Sequence, residues 1–126
     1  MGMSAIRILV VDDEEMVRLN LVAFLEDEGF EVTAAVDGEE ALKMLEAGSA
    51  DVGIVDMRLP GIDGNRVILR AHKIRPNMKF LVHTGSTSYT VPSDIRNLGI
   101  CEEHVFLKPI EDMKVMTRAI YQLLAE

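Results

Sequence analysis

Ile8-Leu9-Val10-Val11-Asp12-Asp13 decides the fold: four apolar residues in a row, ended by a pair of acids. Two further stretches repeat the pattern. Val52-Gly53-Ile54-Val55 ends in Asp56, and Val105-Phe106-Leu107 ends in Lys108-Pro109. Apolar runs this short, separated by helical periodicity, read as buried parallel strands. In an open parallel sheet, functional groups collect beyond the carboxyl ends of the strands. Three acids and a lysine, far apart in sequence, therefore meet at one end of a sheet. Clustered carboxylates repel one another unless a cation neutralises them. The pattern points to a divalent metal site with one carboxylate left to react.

Working outward from these runs, strand and helix alternate five times. Strand one covers about Ile6–Val11, and a helix over about Glu14–Glu28 carries Val17, Leu21, Phe24 and Leu25 on one stripe. Gly29 supplies its C-terminal cap. Phe30–Val36 is strand two, and Asp37-Gly38 turns into a helix that points Ala41, Leu42 and Leu45 inward. Asp51–Val55 is strand three. Leu59-Pro60-Gly61-Ile62-Asp63-Gly64 is a loop with strong turn chemistry, Asp63-Gly64 being its helix start. Val67, Ala71 and Ile74 mark helix three, which stops before Pro76. Met78–His83 is strand four, with Thr84 at its end. A polar, mobile run from Ser86 to Tyr89 leads to Pro92, which starts a short fourth helix closed by Gly99. Val105–Leu107 is strand five, and Met113, Met116, Ile120 and Leu123 stripe a last helix as core filling. A (βα)5 chain with short connections gives right-handed crossovers and helices on both faces, an α/β doubly wound five-stranded parallel sheet.

Composition agrees. With 126 residues there is room for one domain, 1–126, of which residues 1–4 read as a short disordered leader. The 48% hydrophobic fraction supports a core. No run approaches the ~18 apolar residues of a membrane span, and no signal-peptide pattern is present. A single cysteine, Cys101, allows no internal disulfide and fits a reducing cytoplasm, the expected location. A net charge of −8 argues against nucleic-acid binding, which needs clustered Lys and Arg.

The chemistry follows from donor type. Mg2+ takes hard oxygen ligands, usually one or two carboxylates with water or phosphate completing the set. Asp13 and Asp56 suit direct ligation, and Asp12 a role through water. Asp56 is the natural nucleophile, able to accept a phosphoryl group as an acyl phosphate. Lys108 is placed to stabilise the transferring oxygens, and the Thr84 hydroxyl to donate to one of them. Against this stands the plain reading of each acid alone: Asp13-Glu14-Glu15 also suits a helix N-terminus. The coincidence over four strands favours the site.

Val10-Val11-Asp12-Asp13-Glu14, Val55-Asp56-Met57-Arg58-Leu59-Pro60-Gly61-Ile62-Asp63-Gly64, Thr84-Gly85 and Leu107-Lys108-Pro109 together resemble the receiver domains of bacterial two-component response regulators, of the chemotaxis-regulator type. The resemblance runs from about Ile6 to the end of the chain. It implies a flavodoxin-like fold with strand order 2-1-3-4-5, Asp56 as phosphoacceptor, and Asp12 and Asp13 as the acid pair holding Mg2+. It further implies that Arg58 offers its backbone carbonyl to the metal, Thr84 is the switch hydroxyl, and Lys108 precedes a cis proline. The phosphoryl donor would be a sensor histidine kinase or a histidine phosphotransfer protein. Phosphorylation would shift a conformational equilibrium that controls an output partner or attached domain, with a homodimer as a further outcome. Such a domain is no enzyme beyond catalysing its own phosphorylation and dephosphorylation.

Two departures from the family pattern stand out. Val105 occupies the place, three residues before the lysine, where Tyr or Phe is often found, and Phe106 has the opposite strand parity. The Thr84–Lys108 interval is also long, with Pro92 and Cys101-Glu102-Glu103-His104 in the excess. Both bear on the output surface around the fourth helix rather than on phosphorylation. On the first helix, Leu19 and Val22 lie opposite the inward stripe, flanked by Glu15 and Glu26. The resemblance places the kinase or phosphotransfer helix there, as an apolar anchor with a polar rim. His83 points away from the phosphoryl site by strand alternation and reads as structural. His72 and His104 read as surface residues, and no Cys or carboxylate stands at ligand spacing for zinc.

The alternative function is a Mg2+-dependent phosphatase with an aspartyl-phosphate intermediate. Such enzymes commonly need a second acid two residues past the nucleophile, and Arg58 stands there. A vestigial binding domain would lack one of the acids or the lysine. A flavin nucleotide's phosphate would be repelled by Asp12-Asp13.

Overall fold

Strand alternation builds two cores, one on each side of a single sheet. The computed structural model describes residues 5–126, so the expected leader over residues 1–4 lies outside the described residues. The elements are β1 (Arg7–Val11), α1 (Glu15–Asp27), β2 (Glu31–Ala35), α2 (Gly38–Ala47), β3 (Val52–Val55), α3 (Gly64–Ile74), β4 (Lys79–Thr84), α4 (Ser93–Arg96), a single 3-10 turn (Glu102–His104), β5 (Val105–Leu107) and α5 (Lys114–Ala125). All strand pairs are parallel, in the order β2-β1-β3-β4-β5. Observed ends differ from the expected ones by a residue or so, the usual fraying of element boundaries.

Within β1, Leu9 and Val11 face one side with Val55, Val82, Ala41, Leu45, Val67 and Ile68. Ile8 and Val10 face the other with Ile54, Leu81, Leu21, Leu25, Met116 and Ile120. Helices α2, α3 and α4 cover the first face, and α1 and α5 the second. Each central strand is thus buried on both faces, which is why it reads as a continuous apolar run rather than an alternating one. Val105 joins the first core and Phe106 the second, as the parity argument requires. Among the described residues, no helix is long and apolar enough to cross a membrane.

The turn chemistry places the helices. Gly29 follows α1 at φ +95°, a backbone conformation costly for any residue with a Cβ. Asp37 accepts from Glu40 N at 2.8 Å and Asp63 from Arg66 N at 2.9 Å, capping α2 and α3. Gly64, first residue of α3, donates to Met57 O at 3.0 Å, and a Cβ there would overlap the Asp56 carbonyl oxygen. Only glycine lets the start of α3 close down on the end of β3.

Three side-chain expectations are corrected. Val22 is half-buried against the second core, because α1 lies flat enough on the sheet to cover it; Leu19 alone of the pair is exposed. His104 is buried rather than on the surface, since the 3-10 turn folds it inward and its Nδ1 accepts from Cys101 N at 3.0 Å. Cys101, Glu103 and His104 do offer ligand-type atoms within 4.8 Å of one another, contrary to the reading of their spacing. A 3-10 turn eclipses residues i and i+3, so Cys101 and His104 share a face.

Candidate functional site

β1 and β3 are neighbours, with Val11 opposite Val55 in register. The chain leaves β1 for β2 on one side and returns to β3 on the other, so their carboxyl ends form the point where strand order reverses. Asp12 and Asp56, the next residue on each strand, therefore sit side by side. Their backbone N–H groups continue the ladder, Asp12 N to Ala35 O at 3.2 Å and Asp56 N to Val11 O at 2.9 Å. β4 and β5 then bring Thr84 and Leu107 into register, which sets Lys108 at the same edge, its N–H donating to Thr84 O at 2.8 Å.

The geometry unites the acids and the lysine. Lys108 Nζ donates to Asp56 Oδ2 at 3.1 Å and to Glu14 Oε1 at 2.8 Å, and lies 2.8 Å from Asp12 Oδ2. Asp12 and Asp56 are buried, and Asp13 is exposed. Asp12 Oδ1 accepts from Glu14 N at 2.9 Å, so the helix-start reading of this segment is also correct, through Asp12. Arg18 donates to the Asp12 carbonyl at 3.0 Å. Arg58 N lies 3.4 Å from Asp56 Oδ1. Thr84 is fully buried, and its Oγ1 accepts from Ser86 N at 3.1 Å. The Lys108–Pro109 peptide is cis.

Charge explains the proton affinities. Burial pushes the Asp56 carboxyl above its ordinary range, Asp12 adds to that, and Lys108 opposes both. Burial alone would lower the Lys108 ammonium, yet its pairing with Asp12, Glu14 and Asp56 outweighs this and raises it above the usual lysine value. Glu14 is lowered by the Lys108 hydrogen bond. One lysine thus stands among three carboxylates, with Asp13 beside them, and the cluster keeps a net negative charge.

The donor set suits a small, hard cation. Asp12, Asp13 and Asp56 each bring a carboxylate oxygen within 4.8 Å of the others. Among the described residues, Asp12 Oδ2 is buried with no hydrogen-bond partner and is held by its ion pair with Lys108. An oxygen in that state is one a cation or its water would satisfy. The cleft over these groups, about 340 Å³, is lined by Asp13, Glu14, Asp56, Arg58, Gly85 and Lys108. A wider concavity, about 580 Å³, lies near the start of β1 and β2, beside Arg7, Glu31 and Ser49, and contains none of these groups.

The sequence matches the response regulator receiver domain over residues 8–120. The chain belongs to that family. It is 28% identical over 105 residues to sporulation initiation phosphotransferase F of Bacillus subtilis, covering 83% of each chain. It is 29% identical over 119 residues to the sensor kinase CckA of Brucella abortus, covering 93% of this chain and 12% of the kinase. Among solved structures, it is similar to the response regulator protein TrrA of Thermotoga maritima, in complex with Mg2+-BeF, with 31% identity and a TM-score of 0.78 over 94% of this chain and 98% of that one. The chain spans 12% of the length of two curated relatives, both sensor kinases. As a receiver domain it is a signalling module of two-component systems, and its strand order and doubly wound sheet are those the sequence led us to expect.

Asp12, Asp13, Asp56, Thr84 and Lys108, the residues expected at one edge, all lie there. Glu14, whose carboxylate shares Lys108, is not among the expected residues. The signal was present in its place directly after the acid pair, but Glu14 is equally ordinary as a helix-start acid.

Proposed function

We propose that Asp56 is the phosphoacceptor of this receiver domain. The observation that carries the reading is the Lys108 ammonium spanning Asp12, Glu14 and Asp56, with Asp56 buried at the carboxyl end of a central strand. An Asp56 carboxylate oxygen attacks phosphorus of a phosphohistidine; the P–N bond breaks, and its electron pair leaves on the imidazole nitrogen, which takes up a proton. Lys108 then pairs with a phosphoryl oxygen in place of one of its carboxylates. Thr84 Oγ1 gives up its bond to Ser86 N and donates to another, drawing the segment after β4 toward Asp56. Asp12, Asp13 and Asp56, with the Arg58 carbonyl, would hold Mg2+. Bound there, Mg2+ supplies charge neutralisation for the anionic donor and acceptor.

The same groups serve hydrolysis: water attacks phosphorus of the acyl phosphate, the P–O bond to Asp56 breaks with the carboxylate as leaving group, and inorganic phosphate is released, so self-dephosphorylation is the only hydrolysis assigned. A dedicated phosphatase is disfavoured by Arg58, which offers no general acid beside Asp56. The donor is a sensor histidine kinase or histidine phosphotransfer protein in the cytoplasm. Its helix docks on α1, where Met16 and Leu19 are 67% and 53% exposed one turn apart; this moves the anchor from Val22 to Met16.

Incubation with Mg2+ and a small phosphodonor such as acetyl phosphate adds one phosphoryl group by intact mass, labile to hydroxylamine. An Asp56→Asn protein that gained the same label at the wild-type rate overturns the assignment.

A further inference from the structure

Glu14 holds the N-cap position of α1, yet its side chain makes no capping bond. A residue there ordinarily turns its side chain back on the free N–H groups of the first helical turn, and Glu is not among the types that favour the position. The Glu14 carboxylate instead takes the Lys108 ammonium, at 2.8 Å. Lys108 thus has three anionic partners, and they differ in what it costs to leave them. The side chains of Asp12 and Asp56 are 2% and 5% exposed, and that of Glu14 is 59% exposed. Removing the ammonium from Asp12 strands a buried carboxylate oxygen that, among the described residues, has no hydrogen-bond partner. At Glu14 water takes the place of Lys108 with little loss, because an exposed ion pair contributes little.

We propose that Glu14 is the partner Lys108 gives up when a phosphoryl group arrives on Asp56, which makes it a positioning residue that competes with the incoming anion. The inference rests on Asp56 being the phosphoacceptor. The Glu14 carboxylate and the phosphoryl oxygens then claim one ammonium over the same cleft, whose lining includes both Glu14 and Lys108. Asp12 stays paired with Lys108 at 2.8 Å, so loss of Glu14 frees the ammonium for the anion rather than setting it adrift. The competition opposes the phosphorylated form, and Glu14 biases the switch toward rest.

Beryllofluoride, standing in for the phosphoryl group, tests this. It is titrated into 15N-labelled protein at saturating Mg2+ and read by the amide shifts of Thr84 and Gly85. Glu14→Ala removes the carboxylate. Glu14→Asp keeps the charge but is one methylene shorter, and aspartate at an N-cap folds back on its own helix. Neither substitution removes a capping bond. Both variants should bind beryllofluoride about threefold more tightly than the wild type, the scale of an exposed ion pair. A merely structural role for Glu14 would weaken binding, so unchanged or weaker binding in Glu14→Ala overturns the proposal. Tightening in Glu14→Ala with wild-type affinity in Glu14→Asp overturns it too, by assigning the effect to charge near the cleft and not to the pair. Shifts that persist in Asp56→Asn overturn the phosphoacceptor assignment and the exchange with it. Shifts lost in Asp56→Asn, with affinity unmoved by either Glu14 variant, overturn the exchange alone.

Discussion

His83 and Asp56 are adjacent in the fold yet respond to acid in opposite senses. Burial, then the Lys108 charge, brings the His83 imidazole down from 6.5 to about 4, against the pull of Asp12 and Glu14. A depressed histidine lets the unfolded chain bind a proton that the folded one refuses. Its contribution to stability is therefore complete above pH 6.5 and is lost as pH falls toward 4. Urea unfolding should show the wild type losing on the order of 3 kcal/mol more than His83→Leu between pH 7 and pH 4. Asp56 is raised, so its folded state holds the proton more tightly, and its contribution is lost as pH rises through the folded value. At neutral pH its ionised form opposes folding. In metal-free buffer Asp56→Asn should have a higher Tm than the wild type, with a smaller gap in acid, measured by thermal denaturation with EDTA at pH 7.5 and pH 4. At this scale the sequence carried residue types and strand parity, which located His83 correctly. It did not carry partners: Glu14 looked like a helix-start acid and His104 like a surface residue, because long-range contacts and a 3-10 turn decide both.

The least regular element is the connection from β4 to β5. α4 is a single turn, but its anchors are firm: Val91, Ile95 and Ile100 are buried in the first core. The preceding segment, expected to be a free polar loop, is tethered. Tyr89 packs against that core and its hydroxyl donates to Asn65 Oδ1 on α3 at 2.7 Å. With Val105 in place of an aromatic on β5, Tyr89 is the ring that a displacement of Thr84 would carry along. Beryllofluoride, standing in for the phosphoryl group, should shift amides of residues 84–91 and of Asn65, and leave those around Val105 nearly unchanged. Tyr89→Phe should silence the Asn65 response while costing about 1 kcal/mol of stability, the usual net value of one hydrogen bond. A response centred on Val105–Leu107 in NMR spectra would contradict this route. A polar stretch of sequence gave no sign of the tether, since its partner lies on another element.

Across the whole molecule, repulsion is concentrated at one end of the sheet, where the ends of β1, β3 and β5 bring their charges together. Cation binding should therefore report as global stability. Mg2+ at about ten times its Kd should add about 1.4 kcal/mol to unfolding free energy, read as a rise in Tm. Asp13→Asn should lose most of that increment, while being at least as stable as the wild type without metal. Equal Mg2+ affinity of the two proteins by calorimetry would remove Asp13 from the ligand set. By itself the sequence determined the alternation of elements, the two-faced burial of the central strands and the set of acids and lysine at their carboxyl ends. These follow from local periodicity, and strand ends are the places where a buried apolar run must give way to polar groups. The tertiary structure alone decided that one lysine would serve three carboxylates, that Val22 would be covered while Met16 and Leu19 stay open, and that His83 would be buried with one ring nitrogen unpaired among the described residues. Each of those depends on distances between residues far apart in the chain, set by helix packing on the sheet, and no local pattern encodes them.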